Sequence, residues 1–237
     1  MTTIALAQIS LSNDIDENVA RHLRLIESVD ADLIAFPECS ITGYDLVHLA
    51  RNIGQLAQNV DDARAVLHSV CQNSGKMALI GLPYVADDEI FNGSLIVGGF
   101  DNEIILYRKR YLTDEEQDVF QPGDSAQIVN VKGKSFGILI CRDQSYPELF
   151  ADYSDVDCIV IQAAHYYAPK ESLKKRLKNM AIPVVRAMDS GVIVAKVNAV
   201  GELGGKLSCG NSIIAGPSGN VLGLLGETEE GYLIHKL

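Results

Sequence analysis

The stretch Val129-Asn-Val-Lys-Gly-Lys-Ser135-Phe-Gly-Ile-Leu-Ile-Cys141-Arg-Asp-Gln-Ser-Tyr-Pro147-Glu-Leu149 decides the fold class. Residues 129–131 and 135–140 read as two strands folded around Lys132-Gly133-Lys134. Ile140 then runs into Cys141, a polar turn and a short helix predicted near Pro147, since Pro suits a first helical turn. A hairpin is thus followed at once by a strand–helix unit. The same mixture extends outward. Upstream, residues 3–9, 31–36 and 77–82 read as strands, the last two closed by Pro37 and Pro83. Helices are predicted over residues 14–29, capped by Asn13 or Asp14, and from about 60 to 71. Residues 91–99 and 103–107 read as a hairpin joined by Phe100-Asp101-Asn102. Downstream, residues 158–162 read as a strand and 170–188 as a helix broken or kinked at Pro183. Residues 192–198, 212–214, 221–225 and 232–235 close the chain as strands. Strict alternation of strand and helix would predict a doubly wound parallel sheet. The mixed order predicts two mixed sheets packed face to face with helices outside. Without a repeat or a Pro/Ser-rich linker, one domain over residues 1–237 is expected.

Composition narrows the function classes. The 237 residues are 47% apolar and 22% charged, enough for a sizeable core. A net charge of −11 argues against a nucleic-acid surface. The basic run from Lys170 to Lys178 reads as a solvated helix face. Cys39, Cys71, Cys141, Cys158 and Cys209 form no CxxC pair, and the His residues are scattered, so neither a zinc site nor a disulfide framework is expected. The first residues lack the pattern of a signal peptide and no apolar run approaches a membrane span. A cytoplasmic, reducing setting is expected, where a free thiol can remain a nucleophile.

Three strand ends carry candidate chemistry. Cys141 follows Ile138-Leu-Ile140, so backbone N–H groups after it can favour a thiolate and hold an oxyanion. The same residue also reads as a buried small hydrophobe. Glu38 follows Phe36-Pro37; partial burial there would raise its pKa toward that of a general base, and a capping or surface Glu is the other reading. Lys109, within Arg108-Lys109-Arg110, reads either as an exposed strand end or as a cation aimed at a developing charge.

Glu38, Lys109 and Cys141, in that order and each after its strand, resemble the nitrilase superfamily of carbon–nitrogen hydrolases, on its amidase and carbamoylase side. The resemblance takes in Asn92-Gly-Ser94, Glu116-Gln-Asp-Val-Phe120-Gln-Pro122-Gly123, Pro147-Glu148-Leu149, Val185-Arg186-Ala187, Asn198-Ala-Val-Gly201 and Gly210-Asn211-Ser212 through Gly219. It implies a four-layer αββα sandwich, dimerisation through helices and the C-terminal part, and no metal or organic cofactor. It implies Glu38 as base, Lys109 as oxyanion-stabilising cation, Cys141 as nucleophile and Glu116 as auxiliary acid. The implied reaction is hydrolysis of a C–N bond in a small linear amide or N-carbamoyl compound through a Cys141 thioester. The Arg142 N–H is the implied oxyanion donor, and His165, Tyr166 and Tyr167 stand near the expected pocket rim, where packing tyrosines are an equal reading. Ser145 and Tyr146 occupy places where members that hold a substrate carboxylate often carry Arg, so a dicarboxylate monoamide is not expected. Asp189 stands where the family usually has Glu. Acyl transfer from the same thioester, a non-catalytic binding module and a redox-sensing thiol are the rival readings.

Overall fold

The computed structural model describes residues 1–86, 89–99 and 106–237. The chain begins with β1 (Thr3–Gln8), α1 (Ile15–Ser28), β2 (Leu33–Ala35), α2 (Leu46–Ser74), β3 (Met77–Ala86), β4 (Glu89–Val97) and β5 (Leu106–Arg108). The hairpin β6 (Ile128–Val131) and β7 (Lys134–Ile140) follows, then 3₁₀ turns at Cys141–Ser145 and Pro147–Tyr153, β8 (Cys158–Ala163) and α3 (Pro169–Ser190). The rest is β9 (Ile193–Asn198), a small hairpin of β10 (Gly201–Leu203) and β11 (Lys206–Ser208), β12 (Ile213–Ala215), β13 (Val221–Leu224) and β14 (Gly231–Lys236). The predicted turn Phe100-Asp101-Asn102 lies outside the described residues.

Among the described residues two six-stranded sheets result, ordered β14-β1-β2-β3-β4-β5 and β13-β12-β9-β8-β7-β6. Each is mixed: β1, β2 and β3 run parallel, as do β7, β8 and β9, and hairpin partners flank them. The side-chain period of two divides each strand between layers. On β1, Ile4 and Leu6 join Phe136, Ile138 and Val160 between the sheets. Ala5 and Ala7 face the other way, with Ile26 of α1 and Leu67 of α2. Helix α3 covers the second sheet, completing the αββα order.

Local rules account for most boundaries. Asp14 caps α1, its side chain accepting from the N–H groups of Asp16 and Glu17. The β6–β7 turn is made by Lys132 and Gly133, both at positive φ. Helix α2 is longer than predicted. Its buried face continues back through Leu56 and Leu49, but Asn52 and Gly54 weaken the helical signal there. Strand β3 passes through Pro83 instead of ending before it. Gly81, two residues earlier, donates its N–H to Ser40 Oγ, away from β4, and β2 pairs only as far as Leu79. The missing N–H of Pro83 therefore falls where no strand needs it.

Pro183 likewise does not break α3, which runs through it. Proline removes the hydrogen bond to the carbonyl four residues back, here that of Asn179. Lys196, fully buried on β9, donates its Nζ to that Asn179 oxygen at 2.6 Å. A lysine from the neighbouring sheet thus fills the acceptor that the proline orphans. Burial pushes the Lys196 ammonium from 10.5 down to about 8. The unfolded chain holds the extra proton between those values, so this group makes stability rise with pH across about 8 to 10.5. In urea unfolding, Lys196→Met is expected to lose ground to wild type steadily across that window; parallel pH profiles would contradict the assignment. Among the described residues no helix is long and apolar enough to cross a membrane.

Candidate active site

Strand ends from both sheets converge on one buried cluster. β2 stops at Ala35, and Pro37 turns the chain so that Glu38 points inward, fully buried. That turn lies so close to β3 that a Cβ on Gly81 would sit 2.4 Å from the Pro37 oxygen. Lys109 follows β5 and is held by its own backbone, its N–H on the Asn92 oxygen (2.9 Å) and its carbonyl accepting from Gly123 (2.8 Å). Its Nζ donates to Glu38 Oε1 at 2.6 Å and to Glu116 at 2.7 and 2.9 Å. Asn92 Nδ2 donates to both carboxylates, at 2.8 Å to Glu38 and 3.1 Å to Glu116. The second oxygen of Glu38 accepts from the Ala164 N–H at 3.0 Å, and that of Glu116 from the Thr113 N–H at 2.8 Å. Every oxygen of the pair therefore has a donor.

Cys141 sits where β7 ends, at φ +44°, a left-handed conformation rare for a residue with a side chain. Asp143 fixes this elbow. It accepts from the Ile140 N–H (3.0 Å), the Tyr107 hydroxyl (2.7 Å) and the Tyr111 N–H (2.9 Å). The elbow is thereby tied to the segment that carries Lys109. From α3, Arg186 Nε donates to the Gln144 oxygen at 3.0 Å and its guanidinium pairs with Asp189. Glu38, Lys109 and Glu116 have no exposed surface, whereas Cys141 retains 8% and borders a cavity of about 550 Å³.

The electrostatics separate the two carboxylates. Burial, and then the nearby Glu116 charge, hold the Glu38 carboxyl above its ordinary range against the pull of Lys109. Burial raises Glu116 too, but the Lys109 ammonium and the Thr113 N–H outweigh it and hold it below. Burial acts against the Lys109 charge, yet the two carboxylates keep it firmly protonated. The Cys141 thiol is pushed well above 9, first by burial and then by Glu38, and Lys109 only partly offsets this. Burial and the two carboxylates thus outweigh what Lys109 and the turn's N–H groups favour at this sulfur.

Of the remaining candidates, Arg142 and His165 border the cavity. His165 is 4% exposed, its Nε2 3.1 Å from Gln144 Nε2 and its N–H on Asn198 Oδ1. Tyr166 also borders the cavity, with its ring packed in the cluster under α1 and α2. Asn92 and Asp143 had no functional reading from sequence. A polar residue at a buried strand position, as Asn92 is on β4, was the available signal.

Residues 3–237 match the family model described as Carbon-nitrogen hydrolase. The chain belongs to the carbon–nitrogen hydrolase family. Within that family it is 28% identical to a protein named nitrilase from Pyrococcus abyssi, over 91% of this chain and 81% of the relative. It is 27% identical to a glutamine-dependent NAD(+) synthetase from Aquifex aeolicus over 98% of its own length, and it spans only 42% of that protein. Among solved structures, an amidase from Nesterenkonia sp. AN1 superposes with a TM-score of 0.85 at 24% identity, covering 100% of this chain and 93% of the amidase. The carbon–nitrogen hydrolase fold, two mixed sheets between helical layers, is thus shared across its length.

Proposed function

We propose that residues 1–237 act as one thiol-dependent amidase that hydrolyses the C–N bond of a small linear amide or N-carbamoyl compound. The reading rests on one observation: Cys141 at the cavity wall, backed by a buried ammonium that donates to two carboxylates. Cys141 Sγ attacks the amide carbonyl carbon as its proton passes to Glu38. The oxygen that becomes negative is stabilised by the Lys109 ammonium and the Arg142 N–H. Glu38 returns the proton to the nitrogen, the C–N bond breaks, and ammonia or an amine leaves a thioester on Cys141. Water then loses a proton to Glu38 and attacks the thioester; the acid leaves and the thiol is restored. Glu116 keeps Lys109 in place and shapes the charge that Glu38 feels.

Intact-mass analysis after incubation with a panel of amides, carbamoyl compounds and glutamine tests this reading. An acyl mass is expected on wild type and none on Cys141→Ala. Equal adducts on both would place the chemistry elsewhere. Glutamine belongs in the panel because relatives of this chain are named glutamine-dependent synthetases. An added amine in a second series separates hydrolysis from acyl transfer.

We also propose that the chain forms a homodimer in a reducing, cytoplasmic setting, where its five unpaired cysteines are stable. Leu173, Leu177, Val185 and Met188 lie exposed along α3, and Val221, Leu222 and Leu224 along β13. A second copy would cover this apolar surface. Leu177→Asp is expected to shift the mass measured by light scattering toward the monomer; an unchanged mass would remove α3 from the interface.

A further inference from the structure

The cavity beside Cys141 has a slight excess of basic groups in an acidic protein: Arg142, Lys175, Lys178 and Lys206 border it, against Asp114, Glu115 and Glu171. None of Arg142, Lys175 and Lys178 is ion-paired among the described residues. Two of the three acids at the cavity are taken by other lysines, Glu115 by Lys206 and Glu171 by Lys174. Lys175 is held over the Tyr167 ring, 4.1 Å from its centre, so its position is fixed by packing and not by a carboxylate. The chain as a whole carries −11, which disfavours approach of an anion. Among the described residues, three unpaired cations thus face one unpaired acid, Asp114, along the cavity wall.

The wall between these cations and Cys141 is built for polar contact. Gln144 and His165 are 3% and 4% exposed. Gln144 Oε1 and His165 Nδ1 lack partners, as does the buried Arg142 Nε. With Gln144 Nε2 donating to His165 Nε2, the imidazole carries its proton on Nδ1; reversing the amide exchanges the roles. One donor and one acceptor stay unfilled in either case. Buried polar atoms are costly to leave unpaired, so they suit a bound partner. Burial, followed by the charges of Lys196, Lys109, Lys178 and Lys175, lowers the His165 pKa well below its usual value.

We propose that the substrate is an amide or carbamoyl compound ending in a carboxylate, bound by Lys175 and Lys178 of α3 together with Arg142. This rests on the amidase reading of the same cavity and narrows its substrate class. The arginine absent at Ser145 and Tyr146 is replaced by lysines from another element, which proximity in sequence to Cys141 could not show.

The test compares succinamate and glutaramate with neutral amides of equal length ending in isopropyl, on wild type and on Lys175→Gln/Lys178→Gln. Ammonia release is one readout; protection of Cys141 from iodoacetamide is the other and needs no turnover. Wild type is expected to favour the carboxylates by about 10-fold or more in kcat/KM, and the double variant to lose that preference through KM. Equal use of neutral amides by wild type, or a preference kept by the double variant, would overturn the proposal. If no amide is hydrolysed, the amidase reading fails by itself. The carboxylate site then stands if the anionic compounds alone protect Cys141 and the double variant abolishes this, and falls otherwise.

Discussion

Lys109→Ala is expected to reduce turnover by roughly 100- to 1,000-fold, the usual consequence of deleting an oxyanion donor. It is also expected to destabilise the fold, by about 3–5 kcal/mol, because it leaves buried charge without its partner. In wild type the Lys109 ammonium touches Glu38 and both oxygens of Glu116, none of them exposed. Without it, burial would drive both carboxyls upward in pKa. A group whose folded pKa exceeds its unfolded value contributes stability at low pH and loses it as pH rises through the folded pKa. The stability deficit of Lys109→Ala should therefore grow from acid toward neutral pH, and Lys109→Ala/Glu116→Gln should recover part of it without recovering turnover. Denaturant unfolding across pH, with ammonia release measured in parallel, separates the two roles. Wild-type turnover in the single variant would end the electrostatic role; a pH-independent deficit would end the buried-charge account.

What the sequence made legible was local or motif-borne. Asp14 at the start of α1 and Gly133 in the β6–β7 turn act through their own neighbours, so a linear reading finds them. Glu38, Lys109 and Cys141 were identified by order and flanking strands, not by any local property that makes them meet. The misses share a non-local cause. Pro183 reads as a helix break because its rescue comes from Lys196 on β9. Asn92 reads only as a strand residue because the carboxylates it bridges lie on other segments. The charges around Cys141 are non-local in the same way: the turn's N–H groups are adjacent in sequence, while Glu38 and Glu116 are adjacent only in space. Lys175 and Lys178 read as a solvated face, which describes their helix but not the cavity it borders.

The two carboxylates can be told apart by one pair of variants. Glu38→Gln removes the group proposed to accept the Cys141 proton, and a general base typically contributes roughly 100- to 10,000-fold. Acyl-enzyme formation should fall by that order, since the thiol, raised well above 9, cannot ionise unaided near neutral pH. Glu116→Gln should cost less, and its effect on pH has a definite sign. The Glu116 charge is one of the causes holding the Glu38 carboxyl up, second to burial among those acting in that direction. Neutralising Glu116 removes a like charge and leaves Lys109 to Glu38 alone, so the Glu38 pKa must fall. As a base works only when deprotonated, the acidic limb of kcat/KM should move to lower pH in Glu116→Gln. Pre-steady-state acylation of both variants over pH measures each effect. A limb that moves upward, or Glu38→Gln acylating as fast as wild type, would exchange the roles: Glu116 would then be the proton acceptor and Glu38 the group that seats the ammonium.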